Sequence, residues 1–485
     1  MSTKLLNFNN YINGQWLKPD NGQTIEVLNP SNDELLGHIA SGNEKDAQLA
    51  LEAAEAAQKG WAKIPARKRA ELLYAFVNEI KANRDELATV LTKEQGKLFK
   101  VARFEVDVCC SFIEYACEWA RHIEGDIVPS DNENEQIWIQ KIPRGVVVAI
   151  TAWNFPLALA GRKLGPALVA GNSLVIKVTD ETPFSTLMLG EIAKKAGIPD
   201  GVLNIVTGPG RVIGEALVKS PITKMITMTG STPSGQAIFK AASENMAHVQ
   251  LELGGKAPFI AFEDCDVDAA VEGALHSRFD NCGQVCTCNE RMYVHEAIYD
   301  AFMAKFMAKV KALKVGDPFD AASDMGAKVN KSELKHMQEL VDVSLKEGAT
   351  LAYGGKTPDG AQFEKGNWFM PTILTDVKQE MTIVHEEAFG PILPVIKFSD
   401  FDQVVEWAND CEFGLAAMVY TNDMNRVMRL NSELDFGEIY INRGHGELHQ
   451  GFHNGYKMSG TGGEDGKYGF EQYLEKKTFY VRFKA

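Results

Sequence analysis

Apolar residues recur three and four apart along "EKDAQLALEAAEAAQKGWAKI" and "RKRAELLYAFVNEIKANRDELATVL", so helices dominate residues 45–122. The pattern then changes: "EGDIVPSDNENEQIWIQKIPRGVVVAITAW" reads as loop, strand, turn and strand. Short apolar runs and helical stretches alternate from there. "SLVIKV" (173–178) is a strand, followed by a helix starting near Pro183, which suits the first helical position after Thr182. Gly197 and Pro199 stop that helix. "VLNIV" (202–206) precedes "GPGRVIGEALVKS", and "KMITMT" (224–229) precedes "GSTPSGQAIFKAASEN". Strand and helix alternating at about 25–30 residues predicts a parallel sheet with helices on both faces.

The alternation repeats further on. "APFIAF" (257–262) leads to the helix "DVDAAVEGALHSRFD", and "RMYVH" (291–295) to a long amphipathic helix through Leu313. The pattern therefore predicts an α/β protein with two lobes, residues 251–256 lying between them. The last stretch, "QYLEKKTFYVRFKA", reads as an exposed apolar strand whose edge invites pairing with another chain, so an oligomer is expected.

Composition narrows the picture. A chain of 485 residues exceeds what one core usually holds, so two or three domains are expected. Lys+Arg 50 against Asp+Glu 65 gives a net charge of −15, which argues against nucleic-acid or anionic-membrane partners. The N-terminus lacks the apolar core of a signal peptide. The most apolar stretch, residues 145–161, contains Asn154 and Pro156 and is too short to span a bilayer comfortably. Eight cysteines are too sparse for a disulfide scaffold, and a cytoplasmic, reducing location is expected.

Candidate chemistry sits in loops. "GPGRVIG" (Gly208, Gly210, Gly214) is one residue longer than a dinucleotide fingerprint, and "GSTPSG" (Gly230, Gly235) lacks the lysine of a P-loop. Each loop alone reads equally as a plain strand-to-helix turn; two in one lobe favour a dinucleotide, held at a helix N-terminus. Lys177 ends a strand and Asp180 follows, which suits either a solvated pair or the two hydroxyls of a ribose. Cys282, Cys286 and Cys288 in "CGQVCTC" lack the partners of a zinc site. They read either as buried structural thiols or as holding an accessible nucleophile beside Gly283 and Gln284. "HEAIY" (295–299) lacks the second histidine of a zinc protease. "DCDVD" (264–268) has Leu275 where a calcium loop needs glutamate, so its aspartates favour the next helix N-terminus. No metal is expected.

Seven separated motifs, "AWNFP", "VIKVTDETP", "MTGSTPSG", "LELGGK", "GQVC", "EEAFGP" and "YKMSGTGGEDG", resemble the aldehyde dehydrogenase superfamily in order and spacing over essentially the whole chain. "CNERMYVH" and "INRGHGELHQGFHNGYK" are most similar to its lactaldehyde/glycolaldehyde branch, and closer still to the bacterial branch that oxidises 3,6-anhydro-L-galactose. The resemblance implies two Rossmann-type parallel lobes plus a small β oligomerisation element. The implied divisions are a dinucleotide-binding domain (1–120 and 144–252), a catalytic domain (253–466) and the β element (121–143 and 467–485), in a dimer or tetramer. It implies Cys286 as nucleophile, Glu252 as water-activating base and Asn154 as oxyanion donor. Trp153, Lys177, Asp180, Gly210, Gly230, Ser231, Leu253, Glu387 and Phe389 would meet the cofactor; Arg162, Thr287, Glu447 and His453 would meet the substrate. Asp180, where many relatives carry glutamate, still repels a 2′-phosphate, so NAD is favoured with NADP open. The implied reaction is oxidation of a small hydroxylated or sugar aldehyde to its carboxylate. Transfer of the acyl group to coenzyme A and a non-catalytic structural role are the rival classes; Glu252 argues against the first and Cys286 against the second.

Overall fold

The computed structural model describes residues 5–484. Two mixed sheets, each mostly parallel, organise it. In the first, five parallel strands run in the order His248–Glu252, Thr223–Thr229, Val146–Ile150, Ser173–Lys177 and Leu203–Val206. Antiparallel strands flank them on both sides. The strands read as continuous apolar runs because helices cover both faces, leaving Val147, Val148, Leu174 and Ile176 with no exposed surface. Their register aligns the carboxyl ends: Ile150 pairs with Lys177, Lys177 with Val206, and Thr229 with Glu252. Glu252 is thus the last residue of a strand that the hydrophobic pattern did not reveal.

The second sheet has seven strands, centred on Ile392–Phe398, Asn289–His295, Ala257–Ala261, Ala416–Tyr420 and Glu438–Ile441, all parallel to their neighbours. Residues 253–256 pass from the carboxyl end of one sheet to the amino end of the other. Functional loops come from the carboxyl ends of the first sheet, the amino ends of the second and the segment after Glu438–Ile441.

A third sheet pairs Leu474–Arg482 antiparallel with Glu135–Pro143 over nine positions, and Asp126–Pro129 continues it. It leaves Ile127, Phe479 and Tyr480 exposed. Residues 145–161 are divided between the buried strand Val146–Ile150 and the helix Pro156–Ala170, in which Pro156 takes the first turn and left-handed Gly171 closes the end. Among the described residues no helix is long and apolar enough to cross a membrane.

One expected start is corrected. The helix after Ser173–Lys177 runs Phe184–Lys195, with Pro183 preceding it rather than inside it. Its first N–H groups are satisfied from afar: the buried Glu94 carboxylate accepts from Phe184 N–H at 2.6 Å and Ser185 N–H at 3.0 Å. Asp266, by contrast, caps the helix Val267–Phe279 as its sequence suggested, accepting from Asp268 and Ala269 N–H.

Candidate active site

Asn154 lies in the turn between Val146–Ile150 and Pro156–Ala170. Its backbone carbonyl accepts from Lys97 Nζ at 2.6 Å and from Asn281 Nδ2 at 3.1 Å. Lys97 is also paired with Glu105, both fully buried. Glu105 in turn accepts from Leu157 and Ala158 N–H at the start of the following helix. Buried charges persist only when paired and hydrogen-bonded, and this pair locks the turn. The Asn154 amide then reaches across to donate to Gln284 O at 3.1 Å.

The Cys286 loop follows a short left-handed run, Asn281, Cys282 and Gly283 with φ of 45°, 59° and 70°. Asparagine and glycine tolerate that region; cysteine is held there by its surroundings. A Cβ on Gly283 would come 2.4 Å from Gly390 O. Buried Arg278 donates to Gly283 O and Asn289 O and pairs with Glu290 at 2.8 Å. Glu290 also accepts from Lys256 Nζ and from Ala388 and Phe389 N–H. Burial alone would raise its pKa, but Arg278 and Lys256 pull it down to about 2. One carboxylate thus ties together the Cys286 loop, the 253–256 crossing and the 387–389 loop.

These supports turn Cys286 onto the wall of a cavity of about 620 Å³. Cys282 and Cys288 are buried away from it, and burial pushes their thiols up to about 11 and about 12. Burial raises the Cys286 thiol too, but His453 opposes the rise. The Cys286 N–H has no acceptor among the described residues.

Glu252 is buried just behind the cavity, with neither carboxylate oxygen hydrogen-bonded. Burial pushes its pKa up to about 8, against the pull of His453. His453 Nε2 is 3.5 Å from Glu252, and its Nδ1 is 3.0 Å from Glu438. Burial and Arg162 disfavour its charged form, but Glu438, Glu252 and the Cys286 thiol outweigh them and hold it well above the usual histidine value. A thiol and a carboxylate therefore share one imidazolium.

Trp153, Gly230, Ser231, Leu253, Glu387 and Phe389 line the same cavity as Cys286. Ser231 precedes the helix Thr232–Ala242 without making a side-chain cap, so the first N–H groups of that helix stay available. Glu387 accepts from Gly255 N–H at 2.7 Å, and a Cβ on Gly254 would approach it to 2.5 Å. Phe389, at φ 46°, meets the Trp153 ring edge-on at 5.2 Å. Lys177 and Asp180 are 3.3 Å apart, and Asp180 also accepts from Gly208 N–H. This pair does not line the cavity. Gly210 opens a single π turn, exposed and also off the cavity wall.

Phe112, Arg162, Asp280, Thr287, His445 and Glu447 also line the cavity. The Arg162 guanidinium is occupied: it pairs with Glu447 at 2.7 Å and with Asp465, and lies over the Phe112 ring. Burial would raise the Glu447 carboxyl, but Arg162 holds it down at about 2. His453 does not line the cavity. Sequence reasoning missed Lys97, Glu105, Arg278, Lys256, Glu290 and Glu438. Charged residues inside apolar runs, such as Arg291 in "RMYVH" and Glu290 before it, are the only local signal that some charges are buried and paired.

Known proteins share this fold. The profile of the aldehyde dehydrogenase family matches residues 16–479. A 3,6-anhydro-α-L-galactose dehydrogenase of Vibrio sp. (strain EJY3) is 66% identical over 473 residues, covering 98% of each chain. The lactaldehyde dehydrogenase of Escherichia coli (strain K12) is 40% identical, covering 97% of this chain and 98% of its own. A solved 3,6-anhydro-L-galactose dehydrogenase in complex with NADP superposes with a TM-score of 0.97 at 65% identity, over 98% of this chain and 100% of its own.

Proposed function

The chain belongs to the aldehyde dehydrogenase family, oxidoreductases acting on aldehydes, and from that premise we propose that it oxidises 3,6-anhydro-L-galactose to its carboxylate with NAD or NADP. Lactaldehyde and glycolaldehyde are the secondary candidates. The observation that carries the reading is one thiol, Cys286, on a cavity wall that it shares with the Asn154 amide, while a high-pKa carboxylate, Glu252, lies 3.5 Å from the same His453 that acts on the thiol.

The residues fit a dinucleotide. Free N–H groups at Ser231 and Thr232 suit a pyrophosphate, Lys177 and Asp180 suit the adenosine ribose, and Glu387 and Phe389 suit the nicotinamide ribose and ring. When bound, the nicotinamide accepts the hydride released from the aldehyde carbon.

The chain's own residues do the rest. The His453 imidazolium stabilises the Cys286 thiolate, which attacks the aldehyde carbon. The oxyanion forms against the Asn154 amide and the Cys286 N–H. After the hydride has left, the carbonyl re-forms as a thioester on Cys286. Glu252, ionised, takes a proton from the water that attacks it. The thioester carbon–sulfur bond then breaks, releasing the carboxylic acid and the thiolate. Glu438 holds His453 by Nδ1, so the other nitrogen faces Glu252 and the sulfur.

The polar wall formed by Asp280, His445 and Glu447 supports a hydroxylated substrate, since a site that hydrogen-bonds hydroxyls rejects analogues lacking them. The 66% identical relative supports the anhydro-sugar in particular. Asp180 disfavours a 2′-phosphate, while its bonds to Lys177 and Gly208 offset part of its charge, so both cofactors are expected to serve. The exposed third sheet supports assembly into a dimer or tetramer, and eight unpaired cysteines support a cytoplasmic location. A panel of aldehydes assayed with NAD and with NADP tests the reading. It predicts kcat/KM for 3,6-anhydro-L-galactose at least about tenfold above that for lactaldehyde; equal values would overturn the substrate assignment.

A further inference from the structure

A second cluster of reactive side chains borders the same cavity: Asp280 and His445 belong to its polar wall, and His276, which does not line it, has no role in the chemistry above. His276 is near the end of the helix Val267–Phe279, Asp280 is just past it, and His445 comes from the loop after Glu438–Ile441. Their ligand-type atoms all lie within 4.8 Å of one another. The two imidazole rings are 5.5 Å apart, centre to centre. Neither the Asp280 carboxylate nor the His276 ring has a hydrogen-bond or salt-bridge partner among the described residues. His445 is oriented: its Nδ1 meets Ser277 Oγ at 3.1 Å, which leaves Nε2 free. Metal-binding histidines are commonly held this way, by a hydrogen bond at the other ring nitrogen.

We propose that His276, Asp280 and His445 form a binding site for a divalent transition ion of the zinc class, and that an ion held there obstructs aldehyde entry. Two imidazoles and one carboxylate match zinc, cobalt or nickel; magnesium and calcium prefer all-oxygen sites. Zinc takes its nitrogen and oxygen ligands at about 2.0–2.2 Å, so the cluster must contract on binding. The exposed His276 ring is free to swing inward. Asp280 and His445 line the cavity together with Cys286, so an ion and its remaining water would stand in the path of the substrate. The three residues come from two segments far apart in sequence, which hid the site from a search for local ligand spacing.

The test separates binding from catalysis. Cobalt is titrated into full-length Cys286→Ser protein, which removes the cavity-lining thiol as a competing ligand. One equivalent should bind, giving visible d–d bands without thiolate-to-cobalt charge-transfer absorption. His276→Ala and Asp280→Asn in that background should each weaken binding at least tenfold. In otherwise wild-type enzyme, zinc should inhibit aldehyde oxidation reversibly on adding a chelator. His276→Ala, unchanged in activity without metal, should resist zinc at least tenfold better. No saturable binding, a thiolate signature, or binding and inhibition indifferent to His276→Ala would each overturn the proposal. The cobalt titration is independent of which aldehyde the enzyme oxidises.

Discussion

Replacing Glu252 by Gln preserves the shape of a buried side chain and removes its only proton-accepting form. Burial, reinforced by Glu464, pushes the Glu252 carboxyl up to about 8 against the pull of His453. A general base acts only when ionised. With a pKa of about 8, about one tenth of the enzyme carries the active form at pH 7 and about nine tenths at pH 9. Turnover limited by thioester hydrolysis should therefore rise about tenfold across that interval. Formation of the thioester does not need Glu252. The Gln variant should keep a stoichiometric burst of reduced cofactor, then slow by about 10²–10⁴-fold, the usual contribution of a positioned base. Its slow residual turnover should also lose the rise between pH 7 and 9. Stopped-flow absorbance separates the two phases, so titration of Cys286 in the burst is not mistaken for titration of the base. Wild-type turnover flat from pH 7 to 9 with an intact burst, or a Gln variant turning over at the wild-type rate, would show that Glu252 is not the base.

Other consequences follow from the same contacts. Asn154→Ala removes one oxyanion donor and should lower kcat/KM by about 10²–10³-fold, with cofactor affinity by fluorescence titration unchanged; a loss under tenfold would remove its role. Glu290→Ala leaves Arg278 and Lys256 buried and unpaired, and should destabilise the fold by about 3–5 kcal/mol in denaturant unfolding. An unaltered midpoint would show that those cations find other partners. Asp180→Ser should shift the ratio of kcat/KM toward NADP over NAD, and an unchanged ratio would dissociate Asp180 from cofactor choice. Tyr480→Glu, on the exposed third sheet, should reduce the mass seen by light scattering; a wild-type mass would place the subunit interface elsewhere.

The alternation of apolar strands and helices was legible because each strand of a covered parallel sheet is a local apolar run, as in "SLVIKV" and "KMITMT". His248–Glu252 was harder to read, since its polar His248 and Gln250 face other parts of the chain: His248 meets Gln472, and Gln250 is bonded to Gly463. The Pro183 start was misjudged for a similar reason, because the cap of that helix comes from Glu94, remote in sequence. Cys286, Glu252 and Asn154 were visible through motifs. Their supports were not: Lys97–Glu105 and Arg278–Glu290–Lys256 look like ordinary surface charges until folding buries them. The left-handed run at Asn281–Gly283 carries only the weak signal of an asparagine and a glycine around a cysteine. His453 was expected against the substrate. Its hydrogen bond to Glu438 and its 3.5 Å approach to Glu252 keep it off the cavity wall, a relation that only the fold reveals.

The most direct test of the central claim is the intact mass of Glu252→Gln protein after mixing with 3,6-anhydro-L-galactose and NAD, followed by peptide mapping. Attack by the sulfur and loss of hydride predict a covalent gain equal to the aldehyde less two hydrogens, located on Cys286 and absent from Cys286→Ala. A reduced-cofactor burst with no adduct, or an adduct on another residue, would contradict the account.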